Sequence, residues 1–216
     1  MLKMCKEHKT TVQGAVQTAA GVAMVTMLEA EEYEVGSNVT VNIRPFLKTK
    51  LPDDYAGAYF LVLQFKSLVV SSPDADKFWG MARQASDDIH ARLNKKEHIK
   101  MWPTQKCLLP VFIDGFRKAN DDRSGRRFEQ LVVFTNLGYA KFLDGSPDDD
   151  VILRARFGCS AEHQCGTIFG NNIATFNGKL FWTVVYFSNI VNDSTAKKYA
   201  DLVKGTILET IKDIKD

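Results

Sequence analysis

Leu180-Phe-Trp-Thr-Val-Val-Tyr-Phe187, then the turn Ser188-Asn-Ile-Val-Asn-Asp193, then Tyr199, Leu202, Val203, Ile207, Ile211 and Ile214 at helical spacing: this stretch decides the architecture of the chain. Eight residues dominated by aromatic and β-branched side chains make a strand. Apolar positions that recur every three or four residues make an amphipathic helix. Ahead of the strand, Asn177-Gly178 separates it from Asn172-Ile-Ala-Thr-Phe176. Asn-Gly between two apolar runs signals a type I′ hairpin, because both residues tolerate positive φ. The C-terminal part therefore reads as strand, hairpin, strand, short turn and closing helix, with Asp193 or Ser194 capping that helix.

Towards the N-terminus, Leu131-Val-Val-Phe134 and Val151 to Phe157 read as further strands, with a polar loop from Asn120 to Arg127 before them. A weaker helix from Gln105 to Ala119 is interrupted by Pro110 and Gly115. Ser72-Pro73-Asp74 starts a helix near 76–94 that carries Phe78, Ala82, Ala85, Ile89 and Leu93 on one stripe; Lys95-Lys96 suits the negative end of its dipole. Asn38 to Ile43 alternates with the period of a strand, which Arg44-Pro45 ends because proline cannot donate to a ladder. Ala58 to Phe65 is apolar on both faces, the pattern of a central strand.

Thr10-Thr11 caps a helix near 12–28, where Val12, Ala15, Val16, Ala19, Ala23 and Met27 share one side. This span also contains Gln13, Gln17, Thr18 and Thr26 and falls short of the ~20 apolar residues a membrane helix requires, so it reads as a buried helix of the fold. The order predicts an α+β fold: a two-layer sandwich with helices on one face of a mixed β-sheet, whose strands lie at 38–43, 58–65, 131–134, 151–157 and 172–187 and whose helices lie near 12–28, 76–94 and 194–213.

Composition removes several functions. The chain has 216 residues, 45% of them hydrophobic, enough for a substantial core in one large domain or two small lobes. Lys and Arg total 28 against 26 Asp and Glu, a net of +2, so no global field draws in nucleic acid or an acidic membrane. Cys5, Cys107, Cys159 and Cys165 have no framework spacing, and Met1 to Lys6 lacks the apolar run of a signal peptide; a reducing, cytoplasmic setting is expected. His8, His90 and His98 fall in or beside helices. His163, between Cys159 and Cys165, matches no zinc spacing, so no metal is predicted.

Several segments, in order, carry a resemblance. Cys5-Lys-Glu-His-Lys-Thr-Thr-Val-Gln-Gly-Ala-Val16, Val41-Asn-Ile-Arg44-Pro45 with Leu51-Pro-Asp-Asp-Tyr55-Ala-Gly57, Val132-Val-Phe-Thr135-Asn136-Leu-Gly138 and Thr175-Phe-Asn-Gly178-Lys-Leu180 are together similar to the C-terminal lobe of the chloramphenicol acetyltransferase-like, coenzyme-A-dependent acyltransferase superfamily. That group includes BAHD and alcohol acyltransferases and the condensation domains of peptide synthetases. The resemblance covers residues 1–216 as a single lobe. It implies transfer of an acyl group from a coenzyme A or carrier thioester to a hydroxyl or amine, with small-molecule donor and acceptor as the partners and no bound cofactor.

The same resemblance implies that the base is the histidine of a His-x-x-x-Asp motif in a second, N-terminal lobe. That motif occurs nowhere in this chain, and the BAHD Asp-Phe-Gly-Trp-Gly signature is also missing. At the closing turn, Asn189 and Asp193 stand at the motif's spacing, and an amide cannot accept a proton near neutral pH as imidazole does. No catalytic residue is therefore assigned. Thr135 and Asn136, at a strand end that the resemblance places against the acyl-transfer tunnel, are the candidate substrate contacts, with strand closure as the alternative. Arg44 is a third candidate, with a salt bridge inside the lobe as its alternative.

Two functions stay open. One is an acyltransferase lobe, inactive alone, that pairs with an N-terminal lobe or self-associates. The other is a non-catalytic ligand- or protein-binding protein on the same fold.

Overall fold

The computed structural model describes residues 1–52, 55, 57, 59–100, 103, 131–140, 144, 167–188 and 190–212. Its elements are α1 (Leu2–Glu7), α2 (Val12–Met27), β1 (Glu32–Asn42), a short 3-10 turn (Arg44–Phe46), β2 (Phe60–Val70), α3 (Ala75–Asn94), α4 (Glu97–Lys100), β3 (Val132–Tyr139), β4 (Phe169–Phe176), β5 (Lys179–Tyr186) and α5 (Asp193–Thr210). The strands form a mixed sheet in the order β2-β1-β3-β4-β5. β1, β3 and β4 run parallel, while β2 and β5 lie antiparallel at the two edges. This is the α+β arrangement that the sequence predicts. The expected strand at 151–157 and helix at 105–119 lie outside the described residues.

α2 is the centre of the helical layer. Every residue from Gly14 to Val25 is buried, which explains why its sequence is apolar nearly all round. Thr11 caps it by accepting the Gly14 N–H at 3.0 Å. A Cβ on Gly14 would stand 2.4 Å from the Ala82 carbonyl oxygen, so glycine is what lets α2 lie this close to α3. α1 was not anticipated as a separate helix. The chain turns between them at Lys9, whose φ is 52°, and His8 stacks on Trp79 with ring centroids 4.6 Å apart.

Strand alternation sorts the side chains onto two faces. Val35, Ser37, Val39 and Val41 of β1 face the helices with Leu61, Leu63, Phe65 and Val69 of β2, Val132 and Phe134 of β3, and Phe169, Asn171 and Ile173 of β4, as the registers require. Gln17 of α2 donates to the Ser37 hydroxyl at 3.1 Å across this interface. The second face differs along its width. On β2, Phe60, Gln64, Lys66 and Leu68 are exposed; at the centre, Asn38, Val133, Asn172, Ala174 and Phe176 are buried.

β2 departs from one expectation: among the described strands it stands at an edge and not at the centre. Its outward residues Phe60, Val62 and Leu68 are apolar, and that hid the alternation, yet Phe60 and Leu68 are 53% and 62% exposed. β1 also starts earlier than predicted, at Glu32, since Glu32, Tyr33 and Glu34 pair with Val70, Val69 and Leu68 but lie in the exposed half of the ladder. The hairpin is as read, with Asn177 at φ 47° and Gly178 at φ 68°. The cap of α5 is Asn192, one residue before the predicted pair: its Oδ1 accepts the Thr195 N–H at 2.8 Å, while Asp193 accepts the Tyr186 hydroxyl at 2.7 Å.

Candidate functional site

The carboxyl ends of β1, β3 and β4 point to the same end of the sheet, and such ends are where parallel strands open into ligand crevices. Arg44 follows β1 there, while Thr135 and Asn136 are the fourth and fifth of the eight residues of β3, just before its bulge. Thr135 and Asn136 are neighbours at mid-strand, and Arg44 stands apart from them beyond the end of β1.

Their bonding separates them. Arg44 donates from one guanidinium nitrogen to the carbonyls of Tyr55 (3.2 Å) and Gly57 (3.0 Å) and lies over the Tyr59 ring, 5.1 Å from its centroid. It holds the connection between β1 and β2. Asn42 completes this corner by accepting the Arg44 N–H at 3.0 Å. Asn136 donates to Gln13 Oε1 of α2 at 3.2 Å and accepts the Gly138 N–H at 2.8 Å. It shapes the bulge between Asn136 and Tyr139, where Gly138 has φ 67°. Tyr139 then donates to Asp144, which also accepts the Asn177 N–H at 2.6 Å and so ties the end of β3 to the hairpin. That bond to the Asp144 carboxylate raises the Tyr139 pKa.

Thr135 is different. Since Asn136 reaches α2, alternation turns Thr135 to the second face of the sheet. It is half-buried and makes no side-chain hydrogen bond among the described residues. In the ladder it stands beside Asn172 of β4, which is opposite Thr183 of β5. A polar row therefore crosses the second face at a position where its neighbours Val133, Ala174 and Phe176 are buried and apolar.

His98 lies at the same end on α4. The sequence places it beside a charged helix; the structure buries it fully, with Phe46 edge-on at 4.5 Å. Neither ring nitrogen has a partner among the described residues, and burial lowers its pKa. It is closed off from solvent and so does not stand where a general base must meet substrate.

His163, Cys159, Cys165 and Asn189 lie outside the described residues. Among the described residues no three His, Cys, Asp or Glu side chains gather as a metal site, and no helix is long and apolar enough to cross a membrane. A groove of about 790 Å³ lies at the opposite end of the sheet, between Val22 and Thr26 of α2, Ser71 to Pro73, and Leu202 and Thr206 of α5. Thr26 and Thr206 spend their hydroxyl protons on helix carbonyls there.

Comparison with family models gives no match, and comparison with curated proteins gives none. Solved structures do match. The epimerization domain from the third module of tyrocidine synthetase B aligns over 95% of this chain and 43% of its own, with a TM-score of 0.56 at 15% identity. Polyketide synthase associated protein 5 from Mycobacterium tuberculosis aligns over 96% and 48%, with a TM-score of 0.59 at 12% identity. The trichothecene 15-O-acetyltransferase from Fusarium sporotrichioides aligns over 93% and 42%, with a TM-score of 0.53 at 13% identity. The chain spans less than half the length of these structures. Its fold is that of a lobe of the condensation-domain and acyltransferase structures.

Proposed function

We propose that residues 1–216 form one lobe of an acyltransferase, which moves an acyl group from a coenzyme A or carrier thioester to a hydroxyl or amine when a second lobe supplies the base. The observation that carries this reading is Thr135, a half-buried hydroxyl with no side-chain partner among the described residues, just before the bulge of a parallel strand, on a fold shared with an acetyltransferase structure. A hydroxyl in that position is able to donate to the oxygen of a thioester carbonyl as it becomes tetrahedral.

The lobe alone is expected to be inactive. It has no His-x-x-x-Asp, His98 is enclosed, and Asp193 is engaged by Tyr186. Its substrate wall comprises Thr135, with Asn136 and Arg44 holding the strand end and the adjoining loop in place. Cytoplasmic residence and pairing with an N-terminal lobe or a second copy belong to the same proposal. The test is thiol release from acetyl-coenzyme A by the chain mixed with a lobe that bears His-x-x-x-Asp. Turnover should fall ~10–1000-fold in Thr135→Val, the loss expected for one oxyanion donor. Turnover indifferent to Thr135 would remove the reading.

The second reading, a non-catalytic binding protein, is favoured by one observation. Asn136 bonds through both ends of its amide and Arg44 holds two loop carbonyls, so both shape the backbone, which suits a site that holds a ligand without working on it. Saturable acetyl-coenzyme A binding, with no turnover under any pairing, is its signature.

A further inference from the structure

Asn171 and Asn172 are adjacent, chemically identical and both almost completely buried, at 0% and 1% exposure. The strand turns them to opposite faces, and their environments differ. Asn171 Oδ1 accepts from Trp182 Nε1 at 3.1 Å and from the Tyr199 hydroxyl at 3.2 Å, and its Nδ2 donates to the Val133 carbonyl at 3.4 Å. It is a satisfied structural amide. Asn172 Nδ2, on the second face, has no acceptor among the described residues. An orphaned buried amide donor is costly, and a fold that needed only bulk there would carry Leu or Val.

The register sets that donor beside a second one. Thr135 and Asn172 are direct partners in the parallel β3–β4 pair, one strand spacing of about 4.8 Å apart, with side chains on the same face. Thr135 is only half-buried, so a group arriving at its hydroxyl from solvent comes within one strand spacing of Asn172. Two neutral donors converging from adjacent strands match one oxygen with two lone pairs, that is, a carbonyl. Among the described residues nothing cationic belongs to the row, which favours a neutral carbonyl over a carboxylate or phosphate. On the same face, Asn38 Oδ1 of β1 is a buried acceptor that also has no partner among the described residues, and Asn38 pairs with Val133, two residues before Thr135. A ligand that bears a carbonyl and an N–H or O–H spaced along it would satisfy both ends.

We propose that Thr135 Oγ1 and Asn172 Nδ2 form a two-donor site for the carbonyl oxygen of an acyl compound, with Asn38 Oδ1 receiving a donor from the same ligand. The inference deepens the proposed function and rests on it. It adds Asn172 and Asn38 to the site and names the atom that is bound. The two donors act by hydrogen bonding alone, so no bond is made or broken by them.

The experiment uses the 216-residue chain and acetyl-coenzyme A labelled with 13C at the acetyl carbonyl, followed by titration calorimetry and by the carbonyl 13C shift. In the wild type, binding should move the carbonyl signal downfield, as donation to its oxygen does. Asn172→Leu should weaken binding by ~10-fold or more and abolish that movement, the size expected when one buried donor is lost. Thr135→Val should halve the movement, and Asn38→Leu should weaken binding without changing it. Asn171→Leu, read by its unfolding midpoint, reports fold damage and separates it from loss of the site. If acetyl-coenzyme A binds wild type and Asn172→Leu alike, with the same carbonyl shift, the two-donor site is overturned while the thioester function stands. If wild type does not bind at all, the thioester function itself is overturned, and this site with it.

Discussion

Replacing Asn171 tests the packing that places β3, β4 and β5 under α5. Its Oδ1 is the shared acceptor for Tyr199 Oη and Trp182 Nε1. Tyr199 is fully buried, stacks on Phe169 with centroids 4.0 Å apart, and has its phenol pKa raised by burial, so its hydroxyl has no recourse to water. In Asn171→Leu that hydroxyl becomes an orphan at a cost of about 1–3 kcal/mol, while half-buried Trp182 recovers most of its bond from solvent. The total is about 2 kcal/mol, a large share of the 5–15 kcal/mol typical of a domain. With a urea m-value of about 2 kcal/mol/M, the midpoint should fall by about 1 M. Tyr199→Phe should cost about 1 kcal/mol, and in that background Asn171→Leu should cost about 1 kcal/mol less than in the wild type, because the orphan is already gone. Equal costs in both backgrounds, or a loss under about 0.5 kcal/mol, would refute the shared-acceptor argument.

Three further outcomes follow from other parts of the molecule. Gly14→Ala should destabilise by ~1–3 kcal/mol through overpacking against the Ala82 carbonyl, whereas Gly205→Ala, whose Cβ meets nothing within 4 Å, should gain about 0.5–1 kcal/mol of helix propensity; thermal unfolding distinguishes them, and a gain for both would show that α2 and α3 are not in close contact. Burial lowers the His98 pKa below its ordinary 6.5, so the unfolded chain takes up this proton before the folded one: the contribution is complete above about pH 6.5 and is lost as pH falls below it. Unfolding free energies measured from pH 8 to 5 should fall more steeply in the wild type than in His98→Leu, and parallel curves would show that His98 is not held neutral. Finally, a lobe whose edge exposes Phe60 and Leu68 should self-associate on its own, giving a light-scattering mass that rises with concentration; a constant monomer mass favours the binding-protein reading.

The elements with strong local signals were legible before the structure. Thr11 and Asp74 cap their helices, and Asn177-Gly178 turns its hairpin, because each is a local rule that packing reinforces. The lateral position of a strand is not local. Phe60 looks like a core residue in sequence, and only the sheet order shows that β2 stands at the edge among the described strands. Site residues divide along the same line. Thr135, Asn136 and Arg44 stand at chain positions that a motif can mark, but which of them is free depends on partners over a hundred residues away, such as Gln13 for Asn136. Asn172 was invisible for a plainer reason: beside Asn171 it is the same residue in the same strand, and only the register with Thr135 and the faces of the sheet tell them apart. His98 falls in a helix as read, but its burial was not legible because the ring against it, Phe46, comes from the turn after β1.

We propose that this lobe brings a carbonyl-binding wall and no base. Thiol release from acetyl-coenzyme A in the presence of an alcohol or amine acceptor tests it directly, measured for the chain alone and for the chain with a lobe that carries His-x-x-x-Asp. The account predicts the uncatalysed rate for the chain alone, and with the second lobe a turnover that Thr135→Val reduces ~10–1000-fold. Robust turnover by the chain alone, abolished by His163→Ala or by His98→Ala, would contradict it.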